Sequence, residues 1–250
     1  MTALFSLPKF QSLAPGWRVE YFDETDSTNT RAMEALSHSS PTIPSLFLAE
    51  HQHSGRGRRS KHWLNTKGKD LLFTALIKDQ GSIEQCHQIA TRCALALARS
   101  LQHFELQPKI KLPNDIYLNQ RKASGILIER HKGHLLIGIG VNVNSTPYIE
   151  NSTSLLAELG HPVSRESLLA RILLELKQTL QDRDYNHIIK AFQPLDLLFN
   201  QALRYTRDNQ SHFGIAKGIS NNGYMLIDHG DGPIEVTGGH DFRPLVTTSH

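Results

Sequence analysis

The chain has 250 residues, of which 39% are hydrophobic and 20% charged, and its net charge is +3. Such a length buries one large core, or one large and one small, and so small a charge does not favour general nucleic-acid binding. No apolar stretch approaches the roughly twenty residues that span a bilayer, and no secretory signal pattern is present. We therefore expect a cytoplasmic protein that does not enter membranes. Cys86 and Cys93 lie on one predicted helix and are expected in the core.

The first part of the chain predicts a strand, a helix and a second strand. Residues 1–16 show no clear period and are expected to be a mobile or loosely packed lead-in. Alternation predicts a strand at 17–22, and four residues that favour helix N-termini, at 26–29, precede a short helix through Leu36. These four residues are interpreted either as a cap alone or as a cap whose hydroxyls and amide also face a polar ligand. A strand at 46–50 follows.

A basic loop that contains glycine, at 54–61, is the most unusual stretch of the sequence. It joins the strand at 46–50 to a second one at 70–77, which is mostly apolar and expected to be buried on both faces. Glycines let the backbone reach positive φ and approach a ligand, and arginines grip carboxylate or phosphate with two N–H groups at once. Because like charges repel, we expect the loop to be poorly ordered when empty and to order around an anion. Long connections of this kind are often functional.

The middle of the chain predicts a long helix and an antiparallel meander. Apolar residues recur every three or four positions over 82–104, which predicts one helix. A strand at 109–112 ends at Pro113, which has no N–H to donate. Gly138 and Gly140 lie inside a later strand and indicate close approach by a ligand or another backbone. The further strands are predicted at 116–118, 124–129 and 134–141.

The last part predicts helices and then a small domain of strands. Helices are expected at 154–159, 164–183 and 185–199, the last interrupted near Pro194. Short alternating segments begin at Ala202, and Asn-Gly and Asp-Gly pairs mark tight turns between them. We therefore predict two domains, residues 1–199 and a small β-barrel at 200–250.

Several kinds of site are disfavoured by the motifs. The sequence has no GxxxxGK[ST] phosphate loop and no GxSxG nucleophile turn, and the near-match at 55–60 lacks the third glycine of a dinucleotide fingerprint. His51, His53 and His62 lack the spaced Cys/His set of a zinc site, so no metal site is predicted. What remains is a site with fixed cations and no nucleophile. It favours joining two substrates through an activated, phosphate-bearing intermediate, where positioning and charge stabilisation carry the chemistry.

Five blocks of the sequence, spread over 26–142, resemble the biotin–protein ligases. They are DSTN at 26–29, ExQxxGRGRR at 50–59, KxPNDIY at 111–117, RKxxGIL at 121–127 and GxGxN at 138–142. The resemblance implies an α+β fold with a mixed, largely antiparallel sheet flanked by helices, as in class II synthetases and lipoate ligases, and a small C-terminal SH3-like β-barrel. It also implies an enzyme that activates biotin with ATP and Mg²⁺ to biotinyl-5′-AMP. The biotin is then transferred to a lysine of a biotin carboxyl carrier protein of acetyl-CoA carboxylase.

By this resemblance, three residues are the candidate catalytic groups. Lys122 bridges the biotin carbonyl and the phosphate. Arg58, in a loop that closes over the adenylate, faces the carboxylate and α-phosphate, where negative charge develops. Asp115 positions the incoming lysine amine and takes up its proton. Without the resemblance, Lys122 and Asp115 are interpreted as ordinary residues near turns.

The same blocks imply which residues bind each substrate. The predicted biotin-binding residues are Ser27, Thr28, Asn29, Gln52, Gly55, Arg56, Gly57, Arg58, Lys122 and Gly125. The predicted ATP- and adenylate-binding residues are Arg56, Arg58, Arg59, Lys111, Asn114, Lys122 and Asn142. The first three in the biotin set are expected near the ureido ring, whose donors and acceptor need partners when buried. Tyr148 is a further candidate, for stacking on adenine.

Two residues depart from the family pattern. Ser60 stands where glycine is usual in the loop and is expected to affect loop closure, and Leu112 stands where tryptophan is common. Larger members carry an N-terminal helix-turn-helix, for which the segment before the first strand leaves no room, so no DNA binding is expected. The alternatives are a lipoate or octanoate ligase or transferase on the same fold, and a nucleic-acid-binding protein whose basic loop grips the backbone. Monomer and homodimer both stay open.

Overall fold

The computed structural model describes residues 4–38, 41–79, 86–146 and 149–245. Within these ranges the chain forms six α-helices and twelve β-strands. The helices are α1 Leu7–Leu13, α2 Thr28–His38, α3 Cys86–Gln102, α4 Leu155–Leu159, α5 Arg165–Gln181 and α6 Tyr185–Phe192. The strands are β1 Arg18–Phe22, β2 Ser45–Ala49, β3 Leu71–Lys78, β4 Lys109–Lys111, β5 Asp115–Leu118, β6 Arg121–His131, β7 His134–Val141, β8 Ala202–Arg207, β9 Gln210–Ile219, β10 Met225–Asp228, β11 Pro233–Val236 and β12 His240–Pro244. No helix in the described ranges has the length and apolar character to cross a membrane.

The larger sheet has seven strands in the order β1-β2-β3-β7-β6-β5-β4. Strands β1 and β2 run parallel, and the other neighbouring pairs are antiparallel. This arrangement confirms the predicted α+β fold with a mixed, largely antiparallel sheet flanked by helices. The central strand β3 is buried from Leu71 to Leu76, as its apolar composition predicts, because helices cover both faces of the sheet.

Side chains along the strands alternate between two unequal helical layers. On one face, Phe73 and Ile137 belong to the main core, to which α3 and α5 contribute. On the other face, Leu136 belongs to a smaller cluster beneath α2. By the same alternation Gly138 and Gly140 lie on the α2 face, where Gly138 meets the first turn of α2 and Gly140 lies two residues beyond. On the part of this face that α2 does not cover, strand β7 therefore presents glycine instead of a side chain.

Residues 4–16 are ordered and pack against the core through α1, so the prediction of a loosely packed lead-in was wrong for them, and residues 1–3 lie outside the described ranges. Ser6 caps α1 by accepting the N–H of Lys9, and Phe5 and Phe10 are buried. Leu7 and Ala14 pack against the same core at helical spacing from Phe10. The helix is only about two turns long, too short for its period to stand out in the sequence.

Two predicted helices differ at their ends from the observed ones. The helix expected at 82–104 is α3, whose described part begins at Cys86, and residues 82–85 lie outside the described ranges. Cys93 is fully buried, as expected, and burial raises its pKa to about 12, whereas the side chain of Cys86 is outside the description. The helix expected at 185–199 ends at Phe192, and a 3-10 turn around Pro194 follows it.

The smaller sheet has five antiparallel strands in the order β11-β10-β9-β8-β12. The two predicted turns are present, between β9 and β10 at Gly223 and between β10 and β11 at Gly232, and both glycines have positive φ. The hairpin between β8 and β9 turns instead through Asp208 and Asn209, which also have positive φ. The closure of these strands into a barrel and the domain division at 199–200 stay predictions.

Candidate functional site

A cavity of about 710 Å³ opens on the α2 face of the larger sheet. This volume is within the range typical of small-molecule sites. The cavity is bounded by the start of α2, the basic loop, strands β4 to β7, the segment 149–152 and strand β12 of the smaller sheet. Both sheets therefore contribute residues to one site.

Three glycines form the floor of this cavity. A Cβ on Gly138 would lie 2.2 Å from Oδ1 of Asn29, and a Cβ on Gly140 would lie 2.5 Å from the ring of Trp63. A Cβ on Gly125 would lie 2.9 Å from the same ring. No side chain fits at such distances, so close approach requires glycine at all three positions. The sequence predicted a ligand or another backbone close to Gly138 and Gly140, whereas in the structure side chains approach them.

A chain of hydrogen bonds between buried side chains forms the polar wall. Oε1 of Gln52 accepts from the backbone N–H of Thr28 at 2.7 Å and from its hydroxyl at 3.1 Å. The hydroxyl of Thr74 lies 2.8 Å from Oγ1 of Thr28 and also contacts Oδ1 of Asn29. Nδ2 of Asn29 donates to Oε2 of Glu129 at 2.7 Å. Because both ends of the Asn29 amide have partners, its orientation toward the cavity is fixed.

The residues at 26–29 have two separate roles, one at the start of α2 and one in lining the cavity. The carboxylate of Asp26 accepts from the N–H of Ser27 at 2.7 Å and pairs with Arg31 at 2.9 Å, whereas residues 27–29 line the cavity. Burial raises the pKa of Asp26, but hydrogen bonds from Arg31, Ser27 and Thr25 outweigh it and lower the pKa to about 2. Asp26 therefore stabilises the start of α2 and leaves its neighbours free for the site.

The basic loop folds back on itself as a short hairpin. The N–H of Gly57 donates to the carbonyl of Lys61 at 2.7 Å, and that of Trp63 donates to the carbonyl of Gly55 at 2.8 Å. The expectation that the two glycines supply positive φ was wrong, since that conformation falls on Arg59, at a φ of 56°. A Cβ on Gly55 would lie 2.7 Å from the carbonyl oxygen of Trp63, so this glycine is required by the close pairing of the hairpin. The disorder of the empty loop stays a prediction.

The candidate catalytic groups lie together beside strands β4 to β6. Nζ of Lys122 lies 2.6 Å from Oδ1 of Asp115. Arg58 donates from Nη1 to Oδ1 of Asn114 at 3.4 Å, which brings the loop to the turn before β5. Burial lowers the pKa of Lys111, and the nearby charge of Asp115 opposes that shift. Among the described residues, seven Lys and Arg side chains and four Asp and Glu side chains line the cavity, so cations outnumber carboxylates, an arrangement suited to anionic ligands.

Trp63 is a cavity residue that the sequence interpretation missed. Its ring lies over Gly125 and Gly140, and the ammonium of Lys122 is 5.6 Å from the ring centroid. Its Nε1 atom is buried and has no hydrogen-bond partner among the described residues, so this donor is unsatisfied in the structure. Its position four residues after Arg59 placed it near the basic loop. Nothing in the neighbouring sequence showed that the hairpin brings its ring against the glycines of the cavity floor.

Two further segments complete the walls. The N–H of Lys122 donates to the carbonyl of Asn151, and the N–H of Thr153 donates to the carbonyl of Lys122, each at 2.9 Å. Nδ2 of Asn142 donates to the carbonyl of Thr153 at 2.9 Å, so the segment 149–153 is tied to the site. Residues 147–148 are outside the described ranges, so the role of Tyr148 stays a prediction. The other segment is β12, which brings His240, Asp241, Phe242 and Arg243 to the cavity.

The structure gathers nearly all the residues that the sequence nominated. Those lining the cavity are Ser27, Thr28, Asn29, Gln52, Arg56, Gly57, Arg58, Arg59, Lys111, Asn114, Asp115, Lys122, Gly125 and Asn142. Gly55 is buried within the hairpin and does not line it. Leu112, where the family pattern favours tryptophan, lines the cavity as well, and its peptide bond to Pro113 is cis. The individual roles of these residues toward substrates stay predictions.

Comparison with known proteins gives a consistent result. The model of the biotin/lipoate A/B protein ligase family matches residues 21–144. The bifunctional ligase/repressor BirA of Bacillus subtilis is 27% identical over 87% of this chain and 71% of its own length. A biotin–[acetyl-CoA-carboxylase] ligase of Mycobacterium tuberculosis is 25% identical over 90% of this chain and 88% of its own.

Among solved structures, the biotin protein ligase from Aquifex aeolicus in complex with biotin and ATP superimposes with a TM-score of 0.81. The superposition covers 91% of this chain and 99% of that one, at 24% identity, and it shows a shared fold. The family match runs from within β1 to just past β7, and this range includes most of the cavity residues described above. Residues 21–144 of the chain therefore form a domain of the biotin/lipoate A/B protein ligase family.

Proposed function

We propose that this protein is a biotin–protein ligase, which makes biotinyl-5′-AMP from biotin and ATP and transfers the biotin to a lysine of a biotin carboxyl carrier protein. One observation carries the proposal: a single cavity combines a wall of buried neutral donors and acceptors with a cluster of cations. The neutral wall suits a ureido ring, and the cations suit a carboxylate and a triphosphate. The names of the relatives from Mycobacterium tuberculosis and Aquifex aeolicus support the choice of biotin and ATP.

In the first step, a carboxylate oxygen of biotin attacks the α-phosphorus of ATP, and the bond to pyrophosphate breaks. Two negatively charged partners must meet, so cations at the point of contact lower the barrier. Lys122 and Arg58 serve this purpose in the proposal, with Lys111 contributing to binding of the phosphates. Holding both substrates in one cavity supplies the remaining advantage, because it replaces a bimolecular encounter by a fixed geometry.

In the second step, the amine of the acceptor lysine attacks the acyl carbon of the adenylate, and AMP leaves. The amine must be neutral to attack and must lose a proton as the amide forms. Asp115 is the carboxylate next to Lys122 in the cavity and is proposed to orient the amine and take up that proton. The reaction uses no covalent intermediate on the enzyme itself.

Mg²⁺ enters the proposal with ATP. In proteins that act on nucleotides, Mg²⁺ is usually held by substrate phosphates and one or two carboxylates rather than by a protein cage. No group of three or more His, Cys, Asp or Glu side chains in the described ranges is arranged to hold a metal ion, which fits that mode of binding. A cytoplasmic location, where ATP and the carrier protein are available, completes the proposal. Whether the enzyme is a monomer or a homodimer is left to measurement.

The test measures adenylation and transfer separately, and it compares biotin with lipoate as the substrate. ATP–pyrophosphate exchange is measured with biotin or with lipoate, and mass spectrometry follows the mass gain of a carrier fragment. We expect exchange with biotin only, and a loss of at least about a hundredfold in Lys122→Ala. Lys217→Ala is the matched control, since Lys217 lies in the smaller sheet outside the cavity. Exchange with lipoate alone would point to the lipoate alternative, and full exchange in Lys122→Ala would remove that residue from the first step.

A further inference from the structure

Glu129 connects the polar wall of the cavity to the basic loop without lining the cavity itself. Its Oε2 atom accepts from Nδ2 of Asn29 at 2.7 Å and from Nη2 of Arg56 at 2.8 Å. Asn29 and Arg56 line the cavity, and Glu129 does not. One carboxylate oxygen thus receives a donor from each of two segments that lie far apart in the sequence.

The position of Glu129 follows from the register of the sheet. Gly125 and Glu129 are four residues apart on β6, so they face the same side of the sheet, and β7 pairs Gly140 with Gly125 and Leu136 with Glu129. Gly125 and Gly140 belong to the cavity floor, whereas Leu136 lies beneath α2. Glu129 therefore sits at the edge of the floor, where the first turn of α2 and the start of the hairpin both reach it.

The chemistry of the two donors favours a carboxylate at this position. An ionised carboxylate only accepts hydrogen bonds, an arginine only donates, and an amide does both. With Glu129 accepting, the amide of Asn29 must place Nδ2 toward β6 and Oδ1 toward Thr74. A glutamine at 129 can place its one carbonyl oxygen where Oε2 lies, but this oxygen carries no charge, so both hydrogen bonds become weaker.

The same contact fixes the hairpin. Arg56 pairs through its backbone with His62 across the hairpin, so its ion pair with Glu129 ties that unit to β6, in addition to the ring of Trp63 over Gly125. The side chains of Arg56 and Glu129 remain 38% and 24% exposed, and ion pairs at such exposure add little to global stability. The value of the contact therefore lies in geometry rather than in holding the fold together.

We propose that Glu129 is a positioning residue, which fixes the amide of Asn29 and the hairpin at Arg56 through one shared carboxylate oxygen and so couples the polar wall to the basic loop. This inference rests on the proposed function only for the identity of the ligand. It concerns binding of the ring that meets Asn29, not the chemistry of the phosphates. The loss of Glu129 should therefore weaken the binding of biotin more than the binding of ATP.

The primary experiment measures affinity without chemistry. Titration calorimetry with biotin is expected to show binding about tenfold weaker in Glu129→Gln than in the natural protein, because a neutral amide holds Asn29 and Arg56 less firmly than a carboxylate does. Glu129→Asp keeps the charge but is one methylene shorter, so an intermediate loss is expected. Glu34→Gln is the matched control, because Glu34 also pairs with an arginine, Arg31, outside the cavity. The affinity of this variant for biotin should stay within about twofold of that of the natural protein.

Kinetics and a double variant distinguish positioning from a structural role. In ATP–pyrophosphate exchange, KM for biotin should rise about tenfold in Glu129→Gln, with kcat and KM for ATP changed by less than about threefold. The pair Arg56→Gln with Glu129→Gln can hydrogen-bond as two neutral amides, so the double variant should bind no more than about twofold more weakly than the weaker single variant. Melting temperatures are expected to stay within about 2 °C throughout.

Three results would overturn the inference. They are an unchanged biotin affinity in Glu129→Gln, an equal loss in both KM values together with a clearly lower melting temperature, and single losses that multiply in the double variant. The calorimetry is run in parallel with lipoate. If the natural protein binds lipoate and not biotin, the proposed substrate is wrong, but the same series with lipoate still decides the role of Glu129.

Discussion

Nζ of Lys122 lies 2.6 Å from Oδ1 of Asp115, so two of the proposed catalytic groups are paired with each other in the cavity. Both side chains are only partly buried, at 34% and 23% exposure, so the pair can open when ligands bind. An incoming phosphate or carboxylate competes with Asp115 for the lysine. This pairing links the residue proposed for the first step to the residue proposed for the second.

The pairing leads to a prediction for Asp115→Asn. Asparagine keeps the shape of the side chain but removes the charge that would orient the acceptor amine and take up its proton. We expect transfer from preformed adenylate to a carrier fragment to fall about a hundredfold, and ATP–pyrophosphate exchange to fall less than about tenfold. Asp208→Asn, in a turn of the smaller sheet away from the cavity, is the control. An equal loss in both steps would refute this division of labour.

The contact between Gly138 and Asn29 leads to a second prediction. A methyl group at Gly138 would lie 2.2 Å from Oδ1 of Asn29, so Gly138→Ala must displace the amide from its partners. We expect biotin affinity to fall by more than about tenfold, with a loss of stability of about 1–3 kcal/mol from overpacking. Ile137→Val lies on the opposite face of the same strand and should cost about 1 kcal/mol without changing affinity. Calorimetry on both variants checks this, and undiminished binding in Gly138→Ala would contradict it.

The sequence predicted those parts of the fold and site that are encoded locally. The apolar run of β3, the period of α5 and the turn residues between the short strands each specify their own element. The resemblance in five blocks also nominated residues that the structure gathers at one cavity. The predictions of these elements succeeded because each pattern lies within the element that it specifies, whereas the roles of the nominated residues toward substrates stay predictions.

The parts that the sequence missed depend on long-range packing. Trp63 reaches the glycine floor only because the hairpin folds back, and the residues of β12 reach the mouth only because the two sheets meet. The positive φ at Arg59 rather than at Gly57 is likewise set by the pairing of Gly57 with Lys61 across the turn. Helix α1 was missed because a helix of two turns gives little periodic signal. The burial of Phe10 against α5 depends on a long-range contact that the local sequence does not show.

The buried pair of Glu50 and Arg165 leads to a third prediction. Nη1 of Arg165 donates to Oε2 of Glu50 at 2.6 Å, and Glu50, which is fully buried, also accepts from the N–H of Phe5 and the hydroxyl of Tyr21. Arg165→Met leaves a buried carboxylate without its cation, so we expect a loss of about 3–5 kcal/mol in the free energy of unfolding. Urea denaturation measures this loss.

The control for this prediction is the double variant of Glu50→Gln with Arg165→Met. Removing both charges removes the uncompensated carboxylate, so at least half of the lost stability should return. Because Phe5 is held by Glu50, proteolysis of the N-terminal segment should also be faster in Arg165→Met than in the double variant. If the double variant is less stable than Arg165→Met, the account based on an unpaired buried charge is wrong.

The last prediction concerns the pH dependence of stability at Asp196, which lies in the connection from α6 to β8. Oδ1 of Asp196 accepts the N–H of Leu198, whereas Oδ2 is buried with no hydrogen-bond partner in the described ranges. Burial raises the pKa of Asp196 to about 6, although Leu198 and the charge of Lys109 oppose the shift. The folded protein therefore keeps a proton on this group at pH values where the unfolded chain has lost it.

The sign of the effect follows from that difference. At low pH both states hold the proton and there is no penalty, and as pH rises toward 6 the folded state becomes progressively less stable relative to the unfolded one. Asp196→Asn resembles the protonated form at every pH, so its stability relative to the natural protein should increase by about 2 kcal/mol between about pH 4 and pH 7.5. Urea denaturation across this range measures the difference, with Asp208→Asn as the exposed control. Parallel stability curves for Asp196→Asn and the natural protein would show that Asp196 ionises in the folded state as easily as in the unfolded chain.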